Sequence, residues 1–272
     1  MKIIFSIALF FISTATIAET MNLASWNIRN VSSNSRSDAE LGIISVVLAR
    51  YDFIAIQEIR TDTKALDRLV KILKDEFRLD YSYVASKKIG NSSRKEIYAF
   101  LYRSDLVKYT ENSAFVYSDI NDDFIREPYC AAFLAGNFDF SICTIHTEFG
   151  DGKTEPRKEV AALDDVYRAV TKESRRDVLI VGDFNLPAND DAWNDIESLD
   201  NFEPAIPLHT PTTIADTSFF DNIWYTKYSD EVKKESGAVF EFDEMIYTPA
   251  MRKEASRQVS DHRPVSVEVK ID

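Results

Sequence analysis

Apolar segments of two periodicities alternate along the 272-residue chain, and the mixture predicts an α/β or α+β domain with both helices and paired sheets. Three observations carry that expectation. Short apolar runs at residues 21–26, 53–57, 98–102 and 178–181 read as buried strands. Between them lie stretches with apolar residues at helical spacing. The C-terminal segment alternates Val265, Val267, Val269 and Ile271, so one face of a last strand is buried. No linker, internal repeat or shift of composition marks a boundary, and residues 19–272 are expected to form a single domain.

In chain order, the first element is a leader. Lys2 precedes the apolar run 3–12, and Thr16-Ile17-Ala18 offers small residues for cleavage after Ala18, so residues 1–18 read as a signal peptide. The alternative is a buried first strand or helix. The run is too short to span a bilayer, and no later segment is a candidate span. A secreted or periplasmic location is expected. After the strand at 21–26, Ile43, Val46, Val47 and Arg50 fall on one helical face. The strand at 53–57 is followed by a helix carrying Leu66, Leu69, Val70 and Leu73. Beyond the strand at 98–102, residues 129–135 and 138–146 read as a hairpin closed by Gly136-Asn137, a pair suited to a two-residue turn. That turn sets Cys130 directly opposite Cys143, and export permits a disulfide between them, the alternative being two buried thiols. A third helix carries Val160, Leu163, Val166, Tyr167 and Val170, and the strand at 178–181 follows it.

Composition bounds the function. Apolar residues make up 45% of the chain and charged ones 28%, with only 7 Gly and 8 Pro, which excludes fibres and low-complexity sequence and requires a sizeable core. The formal net charge of -13 disfavours loose electrostatic attachment to a polyanion. Chemistry is instead concentrated at strand ends. Asn27, Gln57-Glu58, His146 and Gly182-Asp183-Phe184-Asn185 each follow an apolar run, Asp221 adjoins Phe219-Phe220, and Asp261-His262 precede the last strand. Any one of these could be a turn former or a structural histidine. Together, oxygen ligands and two of the three histidines at strand termini form a hard-cation and acid/base site suited to Mg²⁺, Mn²⁺ or Ca²⁺.

Four motifs, in this order and spread over nearly the whole mature chain, resemble the endonuclease/exonuclease/phosphatase superfamily: Ser25-Trp26-Asn27-Ile28-Arg29, Gln57-Glu58, Gly182-Asp183-Phe184-Asn185, and Ser260 to Val265 in Ser-Asp-His-Arg-Pro-Val. The segments Gln57-Glu58-Ile59-Arg60, Arg94-Lys95-Glu96 with the strand after it, and Arg126-Glu127-Pro128 make the chain most similar to the secreted deoxyribonuclease I branch. The resemblance implies a four-layered sandwich, two mixed sheets packed face to face with helices outside. It implies that Glu58, with Asn27 and Asp261 nearby, holds Mg²⁺ or Mn²⁺ against the scissile phosphate. His146 and His262 would be the acid/base pair, oriented by Glu96 and Asp221, with Asp183 and Asn185 completing the pocket. A cross-strand ion pair to Lys95 or Arg103 is the alternative role for Glu96.

Substrate contacts follow from the same likeness. Arg60, Arg94 and Arg126 occupy family-like positions, the counterpart of Arg60 entering the minor groove and that of Arg126 lying near the scissile phosphate. Arginine in a narrow groove reads shape, so low sequence specificity on double-stranded DNA is expected. For Arg60 and Arg94 the alternative is an ordinary solvated cation. The segment 148–158 departs from the family pattern, and its Lys153, Arg157 and Lys158 are candidate phosphate contacts. Asp119, Asn121, Asp122 and Asp123 form either a site for structural Ca²⁺ or a solvated turn. His209 is read as structural, and the chain as a monomer. Sphingomyelin or another phosphoester is the rival substrate, and a non-catalytic binding or toxin subunit the rival class.

Overall fold

The computed structural model describes residues 19–272 apart from 92–94, 151, 173–175, 200–201 and 228. The expected leader and Arg94 lie outside the described residues. Strands come first as β1 (Thr20–Val31), β2 (Phe53–Ile59), β3 (Tyr81–Ala85), β4 (Ile97–Arg103), β5 (Val107–Tyr109) and β6 (Phe115–Val116). They continue as β7 (Tyr129–Ala135), β8 (Phe138–His146), β9 (Asp177–Asp183), β10 (Phe202–Pro204), β11 (Asp221–Thr226), β12 (Ala238–Val239) and β13 (Val265–Lys270). Helices are α1 (Asp38–Leu48), α2 (Lys64–Phe77), α3 (Thr154–Ala161), α4 (Leu163–Thr171), α5 (Asn194–Glu197), α6 (Phe242–Ile246) and α7 (Arg252–Gln258).

One sheet runs β12-β13-β1-β2-β4-β3 and the other β10-β11-β9-β8-β7-β5, with β6 also on β7. Each centres on one parallel pair, β1 with β2 and β8 with β9, amid antiparallel neighbours. Strands buried on both faces need near-continuous apolar sequence, which is why residues 53–56 and 178–181 lack alternation. Phe53 and Phe100 of one sheet meet Phe133 and Phe140 of the other, with ring centroids 4.9–5.8 Å apart. On the outer faces, α1, α2, α6 and α7 cover the first sheet, while α3–α5 cover the second around stacked Trp193 and Trp224. The result is the expected four layers.

The hairpin has the register the turn predicts. Cys130 lies opposite Cys143 and the two form a disulfide. Gly136 takes a left-handed φ of 53°, and a Cβ there would lie 1.6 Å from the Ile271 carbonyl oxygen, so glycine is required.

Two helical expectations need correction. The face of α1 is Leu41, Ile44, Val47 and Leu48, with Val46 46% exposed and Arg50 beyond the helix, stacked on Phe240. Residues 41–48 are apolar nearly all round, and buried Ser45 sits among them by donating to the Leu41 carbonyl (2.9 Å), so hydrophobicity cannot choose the face. The single helix through Val160 and Val170 is two, broken at Ala162, although all five apolar residues are buried as expected.

Candidate functional site

The carboxyl ends of the two parallel pairs deliver the strand-end polar residues to one place. Asn27 on β1 lies beside Gln57 on β2, and His146 on β8 lies beside Asp183 on β9, whose other neighbour is Asp221 on β11. Pairing breaks between Asn27 and Val31 and between Ile56 and Ile59, where Arg29, Asn30 and Glu58 adopt φ of 52°, 53° and 63°. Non-glycine residues in this region are uncommon and cost about 1–3 kcal/mol, and such bulges re-aim side chains. Here the effect is to turn Glu58 inward: the Asn27 amide donates to Glu58 (3.2 Å) and Asp183 (3.0 Å), and the Asn30 N–H donates to Glu58 (2.9 Å).

Asp183 is the hub. Its Oδ2 lies 3.5 Å from Nε2 of His146 and 3.5 Å from Nε2 of His262, so one buried carboxylate faces both rings. Gly182 permits this: a Cβ there would lie 1.9 Å from the Ile145 carbonyl oxygen, so β9 could not approach β8 so closely. Each ring has a second carboxylate on its other nitrogen. His146 Nδ1 meets Glu96 at 3.1 Å, and His262 Nδ1 meets Asp221 at 2.9 Å. Burial alone would depress both imidazoles, but the carboxylates outweigh it. Glu96 and Asp183 leave His146 above its ordinary value, and Asp221 and Asp183 push His262 up to about 10. Burial works against ionised Asp183, yet the two rings hold it below the usual range. For Asp221, burial and neighbouring Asp183 win, and its carboxyl is raised.

Several supporting residues escape motif reasoning. Thr212 donates to Asp221 (2.7 Å) and accepts from the N–H groups of Phe220 and Asp221. The Tyr98 hydroxyl accepts from the His146 N–H (3.0 Å), and the Trp26 indole donates to the His262 carbonyl (2.8 Å). Buried Glu159 accepts from the Glu148 N–H (2.9 Å), and burial pushes its carboxyl up to about 7. Only Glu159 had a legible trace, as an acid among the buried positions of a helix.

The expected site residues separate into two groups. Asn27, Glu58, Glu96, His146, Asp183, Asp221 and His262 form one connected network. Asn185, in a left-handed turn (φ 46°), joins its edge, donating from its amide to the Thr147 carbonyl. A pocket of about 370 Å³ opens onto Glu58, His146, Asp183, Asn185 and His262, with Arg60 and Phe149 also in its wall. Arg60 bonds Asn30 and lies 3.6 Å from Glu58. Asp261 stands apart: it pairs with Arg29 (3.5 Å) and lines a neighbouring groove, not the pocket that holds Glu58. Arg126 lines the same pocket as Glu58 and His146. It is 3% exposed, and its guanidinium is committed to Glu96 (2.7 Å), Glu148 (2.8 Å) and the carbonyls of His146 and Thr147, which makes it a brace for the histidine strand. Glu96 therefore pairs with neither Lys95 nor Arg103, the latter being held by Asp52 and Asp105.

The loop cations are likewise engaged, Lys153 and Arg157 by Asp190 and Lys158 by Asp123 and the Asp122 carbonyl. Lys158 thus supplies positive charge at the acidic loop considered for Ca²⁺. His209 packs edge-on against Phe219 (6.2 Å). For a catalytic divalent cation, ligand atoms of Asp183, Asp221 and His262 lie within 4.8 Å of one another, but the imidazole already occupies the space between the two carboxylates. Glu58 offers the better hard-oxygen position, at the pocket edge where water or phosphate completes the shell, while the side-chain oxygen of Asn27 behind it accepts from the Arg29 N–H (3.0 Å).

The model of the Endonuclease/Exonuclease/phosphatase family matches residues 24–262, and the chain belongs to that family. It is a phosphodiesterase of the deoxyribonuclease I-like kind. A deoxyribonuclease of Thioalkalivibrio sp. (strain K90mix) is 30% identical over 278 residues, covering 97% of this chain and 74% of that protein. Deoxyribonuclease-1 of Gallus gallus is 30% identical over 273 residues, covering 93% and 94%. An endonuclease/exonuclease/phosphatase family protein from Bacteroides thetaiotaomicron shares the fold, with a TM-score of 0.65 at 18% identity over 94% of this chain and 99% of the other. No helix among the described residues is long and apolar enough to cross a membrane.

Proposed function

We propose that this chain is an exported, divalent-cation-dependent endonuclease that hydrolyses phosphodiester bonds of double-stranded DNA with low sequence specificity. Residues 1–18 would be its leader and residues 19–272 its single catalytic domain, acting as a monomer. The carrying observation is the pair of imidazoles that share Asp183 and are each backed by a carboxylate of their own.

Hydrolysis needs a proton removed from water as its oxygen attacks phosphorus, and a proton given to the 3′ oxygen as the P–O bond breaks. One ring does each. Glu96 and Asp221 fix the tautomers by accepting from Nδ1, so Nε2 of each ring faces Asp183 and the pocket. A Mg²⁺ or Mn²⁺ ion on Glu58, with Asn27 beside it, would offset charge on the non-bridging oxygens. Asn185 would orient a phosphate oxygen, and Arg60 would enter the minor groove. The overall charge of -13 is compatible with this, because the site's sign is set locally by the cation, Arg60 and the protonated rings.

A side-by-side substrate panel tests the reading: duplex DNA, single-stranded DNA, RNA, abasic duplex and sphingomyelin, each with Mg²⁺ and with EDTA. Nicking of supercoiled plasmid that EDTA abolishes is expected. Robust sphingomyelin cleavage without nicking would overturn it, as would full activity in EDTA.

A further inference from the structure

A second groove, of about 640 Å³, adjoins the catalytic pocket, and Thr213 and His262 line both. Its volume lies in the range of ligand-binding clefts, about 300–1,000 Å³. Four cations line it, Arg29, Arg252, Lys253 and Arg257, against the single carboxylate of Asp261. That balance is opposite to the chain's, where Asp and Glu number 45 against 32 Lys and Arg.

The four cations are not equivalent. Arg29 is held by Asp261 and Ser256, and Arg252 by Asp216 and Glu244. Arg126 and Arg263, the buried arginines nearby in sequence or space to the histidines, are likewise consumed by Glu96, Glu148 and Asp243. Lys253 and Arg257 differ: both are exposed on α7, and among the described residues neither makes an ion pair or hydrogen bond within the fold. They stand four residues apart, hence on one helical face and about 6 Å apart along its axis. Glu254, on the same helix, does not line the groove.

We propose that this groove is a phosphate track that holds the nucleic-acid strand flanking the scissile bond, with Lys253 and Arg257 meeting phosphates beyond the one being cut. This rests on the nuclease reading above and extends it to residues outside the family motifs. Two exposed cations on one wall, with Glu40 acting on Arg257 only from a distance, select a polyanion, and a track that shares His262 with the pocket selects one continuous with the bound diester. Such contacts carry no base information, so they strengthen binding uniformly across sequences.

The test compares wild type with Lys253→Ala/Arg257→Ala on plasmid DNA and on the small diester bis(p-nitrophenyl) phosphate, across 50–200 mM salt. A charge-matched control, Lys108→Ala/Lys270→Ala, removes two cations from strand residues that pair near the opposite end of the sheets, with Leu134 and Thr20. For two phosphate contacts the groove variant should raise KM for DNA roughly 10- to 30-fold near 0.15 M salt and flatten the log–log salt slope by about 1.8. Its kcat, its melting temperature and its rate on the small diester should match wild type, and the control should behave as wild type throughout. Unchanged KM and salt slope on DNA would overturn the track, as would an equal effect in the control. Failure of wild type to cut DNA at all would instead overturn the nuclease reading.

Discussion

Replacing Glu96 with glutamine removes one charge at the most enclosed point of the site and keeps the shape. The Glu96 carboxylate is 0% exposed, accepts from the Glu58 N–H (2.9 Å) and His146 Nδ1 (3.1 Å), and forms an ion pair with Arg126 (2.7 Å). Breaking a buried pair by removing one partner costs about 3–5 kcal/mol. Arg126 retains Glu148 at 2.8 Å and two carbonyls, which reduces the expected loss to about 2–3 kcal/mol. The catalytic loss should be larger, because acid–base assistance is worth about 10²–10⁴-fold, or roughly 3–5 kcal/mol of barrier. Direction in pH is also fixed. Glu96 raises His146 against the downward pull of burial, so without it the ring releases its proton at lower pH, and the limb of the pH–rate profile that His146 governs moves toward acid. Initial rates of plasmid nicking from pH 5 to 10, with melting curves on the same samples, read all three effects. A folded Glu96→Gln variant with kcat within threefold of wild type and unmoved limbs would refute the reasoning and leave Glu96 as an anchor for Arg126 alone.

Two further outcomes concern stability. Glu159 is a carboxylic acid whose folded pKa, about 7, exceeds its unfolded value near 4.5, so its contribution is full below pH 4.5 and lost as pH rises to 7, a difference of about 3 kcal/mol. Glu159→Gln should therefore show a smaller drop in melting temperature between pH 5 and pH 8 than wild type, and an identical drop would contradict the assignment. The Cys130–Cys143 disulfide closes a loop with a sequence separation of 13, for which chain entropy gives about 3 kcal/mol. Reduction should lower the melting temperature without altering kcat at 25 °C, since neither sulfur touches the histidines. An unchanged melting temperature on reduction would argue against that entropy term.

How much of this was legible depends on range. The hairpin register followed from a two-residue turn, because pairing near a turn is local and leaves no freedom in which residues oppose. Polar residues after apolar runs marked the strand ends, but the four layers and the grouping of Asn27, Glu58, Glu96, His146, Asp183, Asp221 and His262 could be anticipated only through the family resemblance that the motifs carry. What could not be read was the competition between charges brought together by folding. Asp261, expected near Glu58, pairs with Arg29, two residues past Asn27, at 3.5 Å and lines the neighbouring groove. Arg126, expected near the scissile phosphate, lines the pocket, but no motif shows that four oxygens from β8, its following loop and Glu96 also surround it. The split between α3 and α4 left no mark either, since the five apolar residues keep one buried face across the break at Ala162.

The central claim is that His146 and His262 work as one unit across Asp183, and a double-mutant cycle on plasmid nicking tests it most directly. Residues that act together are strongly non-additive when removed. His146→Ala and His262→Ala should each lower kcat at least about 100-fold, and the double variant should lose no more than a few-fold beyond the worse single. Multiplying losses, or near wild-type nicking by either folded single variant, would contradict the account.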